Sequence, residues 1–143
     1  MNIKQLHQNF KMPTRGTDYA GGYDIYMPEK GTMMPGATYG QMVPLGFSAE
    51  VPVGYVALLL PRSGAGAKHG VSLNNTVGVI DADYRGEWMA CLRVKNGLPH
   101  RWEAGDRLLQ FILVPVNTPE LVLVKELDST ERGEGGFGST NQK

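Results

Sequence analysis

The chain has little of several features that would narrow its class. Its 143 residues include one cysteine, Cys91, which excludes an internal disulfide and fits a reducing compartment. Aromatic residues make up 8% of the chain, and no apolar run approaches the ~20 residues needed to span a bilayer. The 14 basic and 14 acidic residues cancel, so no net field draws the chain to nucleic acid or to an anionic membrane. We expect a cytoplasmic protein with no nucleic-acid or membrane partner.

Glycine and proline are abundant instead, with 19 and 9 residues. Both interrupt helical hydrogen bonding, so the composition favours short strands joined by turns. A chain of 143 residues has the size of one domain with one core. We therefore predict a single all-β domain.

Apolar patterns predict where the strands lie. Residues 23–27 and 88–94 alternate with period two, and residues 108–116 and 121–124 are further strand candidates. Residues 55–60 are apolar at every position, which predicts a strand covered on both faces. A small sandwich covers the second face only with a neighbouring subunit, so this strand predicts an oligomer. The glycine- and alanine-rich residues that follow it, 61–70, predict a loop.

One stretch joins a strand to a polar end. Residues 77–80 favour a pleated strand, and Asp81, Asp83, Tyr84 and Gly86 follow at once. If the strand includes Asp81, period-two geometry puts both carboxylates on one face, where they could meet a water or a cation. The alternative is a hairpin turn in which Asp and Gly serve the backbone.

Three further sites place polar groups beside predicted strands. Arg62 and Ser63 follow the apolar strand, and a guanidinium with a hydroxyl suits phosphate oxygens; a glycine-rich turn with an incidental arginine is the alternative. Gln110 is the one polar side chain within 108–114, so it makes a structural hydrogen bond or faces a cavity. Asp24 lies within an alternating strand, where a solvated carboxylate is a reasonable alternative to a functional role.

The end of the chain differs in composition from the rest. Apolar content falls after Asp128, which predicts a disordered tail in the free protein. The tail nevertheless carries an aromatic ring, two hydroxyls and a guanidinium, a set that suits a lid ordering over a nucleotide. We divide the chain into a β domain, 1–128, and a flexible glycine-rich arm, 129–143.

Taken together, these clusters resemble the five motifs of the trimeric dUTPase (dUTP diphosphatase) family in order and spacing. The matching segments are residues 22–26, 61–64, 75–86, 105–110 and 132–140. The resemblance implies a jelly-roll-like β-sandwich, assembled as a homotrimer whose active sites are shared between subunits. It implies hydrolysis of dUTP to dUMP and pyrophosphate, which limits uracil incorporation into DNA and supplies dUMP for dTMP synthesis. It also implies Mg²⁺, bound mainly through the triphosphate and waters.

The resemblance implies roles at the reacting centre. Asp81 matches the aspartate that activates the attacking water, and Gln110 matches a residue near that water and the phosphates. Tyr84 matches the aromatic ring that lies against the deoxyribose. Asn75 matches a uracil-contacting position, with Asn74 as the neighbouring candidate.

It implies further contacts around the phosphates. Arg62, Ser63 and Gly64 match the phosphate-binding segment. Asp24 matches an aspartate that supports the metal and water shell from outside, and no metal is expected to be held directly by the protein. The glycine pair Gly21–Gly22 departs from the family's first motif, and the sequence leaves its role open. The resemblance also implies a lid, in which the Phe137 ring lies over the base. The implied lid residues are Arg132, Phe137, Gly138, Ser139 and Thr140.

Two other functions remain open. A dCTP deaminase of the same fold would need a catalytic glutamate at Cys91, and residues 88–95 contain no carboxylate. A dUTP-gated regulatory protein would use nucleotide binding to order the tail and change the surface offered to an unknown protein partner.

Overall fold

The computed structural model describes residues 1–37 and 39–136 and has an all-β architecture, as predicted. Within those ranges it has eleven short strands and one helix. No helix among the described residues is long and apolar enough to cross a membrane. The strands are β1 (Ile3–Gln5), β2 (Gly22–Ile25), β3 (Gly31–Met33), β4 (Gln41–Pro44), β5 (Phe47–Ala49), β6 (Tyr55–Pro61), β7 (Val71–Leu73), β8 (Gly78–Ile80), β9 (Met89–Val94), β10 (His100–Trp102) and β11 (Leu109–Pro115), and the helix is α1 (Ser63–His69).

The strands pair antiparallel in four sheets that join distant parts of the sequence. The largest has the order β2-β11-β6-β8, and a three-stranded sheet has the order β4-β9-β7. The pairs β1-β5 and β10-β3 complete the set. Three rings from separate segments meet in the core: Trp88 lies 5.1 Å from Phe47 and 5.2 Å from Phe111, measured between ring centroids. One continuous core therefore ties the sheets together.

The four-stranded sheet has an inner and an outer face. On β6, Ala57 and Leu59 are buried in the core. The residues that alternate with them, Val56, Leu58 and Leu60, are only half-buried. Within one chain this apolar strand is thus covered on one side. We call the apolar side that remains the outer face; it comprises Val56, Leu58, Leu60, Val79, Ile112 and Val114.

The segment after β6 is a helix, so the loop prediction there was wrong. Its small residues include good helix formers such as Ala65 and Ala67, and none is β-branched. The helix ends at Gly70, whose φ of 66° is left-handed and whose N–H donates to Gly66 O at 3.0 Å. Glycine adopts this conformation without steric cost, so it closes the helix cleanly.

The predictions also erred on individual strands. Residues 121–124 form no strand, and Leu121 and Leu123 are 94% and 99% exposed. Their β propensity has no effect because no sheet edge of the same chain lies beside them. Four strands were missed: β1, in the polar N-terminal segment, β3, in a region rich in proline and glycine, and the three-residue strands β7 and β10.

Candidate active site

An ion cluster around a buried carboxylate occupies one end of the four-stranded sheet. Asp24 on β2 is only 7% exposed, so the interpretation as a solvated carboxylate was wrong. Arg62 Nε lies 2.8 Å from its Oδ1, and Arg107 Nη1 donates to its Oδ2 at 3.1 Å. The carboxylate pairs with both guanidiniums and fixes their orientation, because each oxygen faces a different arginine. Sequence analysis missed Arg107 as an individual residue, although it stands inside the fourth motif-like segment.

Gln110 lies beside this cluster. In the register of the sheet it stands opposite Asp24 on β2 and opposite Leu60 on β6. Its Nε2 donates to the Pro61 carbonyl at 3.2 Å. The predicted need for a partner is met by that hydrogen bond, and the same side chain also faces the cluster rather than the core.

The start of α1 presents exposed polar groups next to the cluster. Arg62 precedes the helix, and its backbone N–H donates to Leu108 O at 2.9 Å. Ser63 and Gly64 are the first two helical residues, and both are exposed. A hydroxyl and an unobstructed backbone therefore sit directly after an anchored arginine, as a phosphate-binding segment requires.

A broad cationic cleft opens from Arg62 along the helix. It has a volume of about 670 Å³, and its lining includes Lys68, His69, His100, Arg101 and Arg107, with Asp106 as the single acidic residue among the lining groups. Burial lowers the pKa of His100, and His69, 4.9 Å away between ring centroids, lowers it further; Asp106 opposes both. The neutral chain thus concentrates positive charge at one place.

Asp81 lies in a turn at a strand end. Strand β8 stops at Ile80, and Tyr84 N–H donates to Asp81 O at 3.3 Å, so residues 81–84 form a tight turn. The expectation that a strand puts Asp81 and Asp83 on one face was therefore wrong. Both carboxylates are exposed.

Neighbouring side chains brace this turn. Arg85 Nη1 donates to the carbonyls of Ala82 and Tyr84, at 2.7 and 3.2 Å. The Tyr84 hydroxyl donates to Glu87 O at 3.0 Å, and its ring lies so close over Gly86 that a Cβ there would collide with it. Sequence analysis did not single out Arg85; its position inside the third motif-like segment was the available signal.

The two asparagines before β8 differ in their surroundings. Asn74 is half-buried, and its Oδ1 accepts from Arg93 Nη1 at 3.4 Å. Asn75 is exposed, and its Nδ2 donates to Val77 O at 3.0 Å. Asn75 is therefore the more accessible of the two candidates for reading a base.

The fold does not bring the predicted residues together within one chain. Asp81 follows Ile80, which pairs with Ala57, whereas Arg62 follows Pro61 at the other end of β6. At ~3.3 Å per residue the two positions lie about 20 Å apart along the strand. In the arm, Arg132 is exposed and its Nε donates to Gly135 O at 2.8 Å. Phe137, Gly138, Ser139 and Thr140 lie outside the described residues.

Comparison with known proteins identifies the family. The family model described as dUTPase matches residues 8–141. The chain belongs to the dUTPase family. Among curated relatives of this dUTPase-family chain, the deoxyuridine 5'-triphosphate nucleotidohydrolase of Shewanella oneidensis is 41% identical over 142 residues, covering 97% of this chain and 92% of that protein.

Solved structures agree with this assignment. A Staphylococcus bacteriophage 80alpha dUTPase with dUpNHpp matches this dUTPase-family chain with a TM-score of 0.87 and 30% identity, over 99% of this chain and 98% of that one. The dUTPase of phage phi11 of S. aureus, described with a structural Mg(II) ion, has a TM-score of 0.76 and 26% identity, over 87% and 96% of the two chains. The likeness confirms the predicted jelly-roll-like β-sandwich.

Proposed function

We propose that this chain hydrolyses dUTP to dUMP and pyrophosphate, with Asp81 as the residue that activates the attacking water. The observation that carries the proposal is the exposed Asp81 carboxylate, held in a braced turn of a dUTPase-family chain. In a cytoplasmic setting this reaction would limit uracil incorporation into DNA and supply dUMP for dTMP synthesis.

The reaction asks mainly for positioning. The water oxygen forms a bond to the α-phosphorus, the bond from that phosphorus to the bridging oxygen of the β-phosphate breaks, and Asp81 accepts a proton from the water. An aspartate is a weak base, so its contribution lies in aiming the water as much as in taking the proton. The hydrogen bonds from Arg85 to the carbonyls of Ala82 and Tyr84 support this role, since they limit movement of the turn.

The remaining residues are assigned to the nucleotide. Arg62, Ser63, Gly64 and Gln110 bind at the phosphates, where the cationic cleft offsets negative charge. Asn75 reads uracil and the Tyr84 ring lies against the deoxyribose. The arm closes over the site, with Phe137 on the base and Arg132, Gly138, Ser139 and Thr140 toward the phosphates.

Mg²⁺ enters this proposal with the substrate. Both Asp24 oxygens face arginines, so Asp24 does not fit as a direct ligand and its proposed support of the metal shell runs through Arg62 and Arg107. Mg²⁺ prefers oxygen ligands and keeps several waters, which suits binding to the triphosphate. When bound there it neutralises phosphate charge.

We propose a homotrimer with shared sites, as the resemblance to the dUTPase motifs implies, and two observations support assembly with neighbouring copies. First, Asp81 and Arg62 stand at opposite ends of β6, so a single chain cannot bring them to one nucleotide. Second, apolar surface lacks cover in one chain: Val79 on the outer face is 59% exposed and Leu123 in the segment after β11 is 99% exposed. Burial of such surface against neighbouring copies is favourable.

An assay of pyrophosphate release across dUTP, dCTP, dTTP and UTP, with a parallel ammonia assay, tests the activity. We expect pyrophosphate from dUTP, and ammonia from none of the four nucleotides.

Asp81→Asn should lower kcat for dUTP by about 100-fold or more while dUTP still binds, because the substitution removes the proton acceptor but keeps the shape of the side chain. Asp83→Asn, the matched carboxylate two residues on, should retain most turnover. Full turnover by Asp81→Asn would remove Asp81 as the base.

A second candidate function is dUTP-gated regulation of a protein partner. The phage 80alpha dUTPase, 30% identical to this chain, belongs to the phage dUTPases described as controlling transfer of virulence genes. A pull-down with immobilised chain, with and without dUpNHpp, tests it. Capture of one protein only with nucleotide would support the regulatory role, and identical capture in both arms would argue against it.

A further inference from the structure

Gly22 on β2 has a close neighbour that only a residue without a side chain permits. A Cβ at Gly22 would stand 2.8 Å from Oε1 of Gln110. The next nearest atoms, Ile112 Cγ2 and Phe111 O, would be at 3.5 Å, which is ordinary van der Waals contact. The steric conflict is therefore with one atom, the amide oxygen of Gln110.

The close approach reflects how Gln110 lies on the sheet. Its Nε2 donates to Pro61 O on β6, while its Oε1 reaches over Gly22 on β2. Gln110 itself is on β11, between those two strands. The amide thus lies across three strands. A hydrogen bond fixes its Nε2 on the β6 side, and the lack of a side chain at Gly22 leaves room for its Oε1 on the β2 side.

Backbone geometry does not account for this glycine. The φ angle of Gly22 is not positive, so an alanine could adopt the same conformation. Glycine in a strand interior weakens the strand, and its use there often marks a site where another group approaches closely. The approaching group at Gly22 is the side chain that lies beside the Asp24 cluster.

We propose that Gly22 is a positioning residue for Gln110, keeping its amide flat against the sheet so that it faces the reacting phosphates. This inference rests on the proposed function, in which Gln110 binds near the attacking water. It gives the second glycine of the Gly21–Gly22 pair a distinct role. Gly21 differs because a Cβ there would meet nothing within 4 Å.

The test is Gly22→Ala, with Gly21→Ala as the matched control. The methyl group displaces Gln110, and misplacement by about 1 Å in an active site can cost ~100-fold, so we expect kcat for dUTP to fall by about 10- to 100-fold. We expect KM to change by less than about threefold and the melting temperature to stay within ~4 °C, because the obstructing atom ends a flexible side chain. Gly21→Ala should match the wild type in all three measurements.

A double-mutant cycle with Gln110→Ala separates positioning from a general structural effect. If Gly22 acts through Gln110, adding Gly22→Ala to Gln110→Ala should cause no further loss of kcat. An independent, multiplicative loss, a wild-type kcat for Gly22→Ala, or a large fall in its melting temperature would each overturn the inference. Absence of wild-type dUTP turnover would instead overturn the proposed function. Full activity of Gln110→Ala would overturn the role given to Gln110 and with it this inference, while dUTP hydrolysis itself would stand.

Discussion

At the level of single residues, Asp24 on β2 joins charged side chains from two other segments of the chain at one end of the sheet. Its carboxylate contacts Arg62, which precedes α1, and Arg107, which precedes β11. Arg107 also lies over the Tyr26 ring, with its guanidinium carbon 5.8 Å from the ring centroid. A buried carboxylate with two such partners orients both guanidiniums, whereas its removal leaves like charges facing each other.

Asp24→Asn should therefore destabilise the fold by about 1–3 kcal/mol, a range set by the loss of charged hydrogen bonds at a site where the arginines keep partial solvent contact. Urea denaturation measures the free energy of unfolding. Asp18→Asn, at an exposed aspartate, is the control and should change stability by less than ~0.5 kcal/mol. Equal stability of the two variants would contradict the role given to Asp24.

His100 predicts a pH dependence of stability. Its pKa in the folded chain is lowered from the ordinary 6.5 by burial and by His69. The unfolded state then binds the proton more readily, so this contribution to stability is complete above pH 6.5 and is lost as the pH falls through the lower folded pKa. Lys68 and Arg101 line the same cleft and add positive charge nearby.

The melting temperature measured from pH 7.5 to 5 should fall less steeply in His100→Gln than in the wild type, because the variant lacks the group that protonates. His69→Gln should also reduce the slope, by removing the neighbouring charge. Parallel curves for all three proteins would show that His100 does not control the acid loss.

At the level of elements, the helix and the arm place groups that the strands cannot. Helix α1 turns the chain immediately after β6 and leaves Ser63 and Gly64 exposed beside Arg62. The segment that leads into the arm and the start of the arm have the opposite character: residues 117–134 are exposed throughout and carry no regular structure. A segment with so few contacts orders at little enthalpic cost over a ligand, which suits a lid.

Truncation after Asp128 should leave assembly intact and remove most dUTP turnover, because the arm supplies Arg132 and Phe137, whereas its described part, residues 129–136, contributes no core residue. Light scattering coupled to size-exclusion chromatography measures the assembly, and pyrophosphate release measures the rate. A chain ending at Thr140 keeps every proposed lid residue and should remain active. Full activity of the chain that ends at Asp128 would contradict the lid assignment.

At the level of the whole molecule, the outer face is the surface on which the proposed assembly, and with it the proposed shared site, would depend. It lies on the sheet that carries Asp24 and Gln110 near one end, with Asp81 following β8 at the other. Packing of one copy against another would cover the apolar side chains and could bring one chain's Asp81 turn to the next chain's cluster. Assembly and activity should therefore be lost together.

Leu58→Asp places a charge at the centre of the outer face, where it opposes assembly without entering the core. The variant should elute as a folded monomer, by circular dichroism and light scattering, and lose nearly all turnover. Val53→Asp, in a turn at a position that is 93% exposed, should remain a trimer with full activity. A competent wild-type monomer would refute shared sites.

The alternating patterns that became β2 and β9 could be predicted because side chains in a strand point to opposite faces with period two. The strand β11 was predicted from a nearly continuous apolar run. The motif-like segments likewise pointed to Asp81, Arg62 and Gln110 as polar groups at strand ends. Local propensity misled where tertiary contacts were missing, as in residues 121–124, which have strand composition but no partner strand.

The sequence by itself determined the all-β class through its composition and period, and it determined the family and the candidate residues through the resemblance of five segments to the dUTPase motifs. Tertiary structure alone decided that Asp24 binds two arginines, that Gly22 lies under Gln110, and that Asp81 and Arg62 stand at opposite ends of β6. The reason is the antiparallel register: it sets which residues far apart in the chain become neighbours, and no local pattern specifies it.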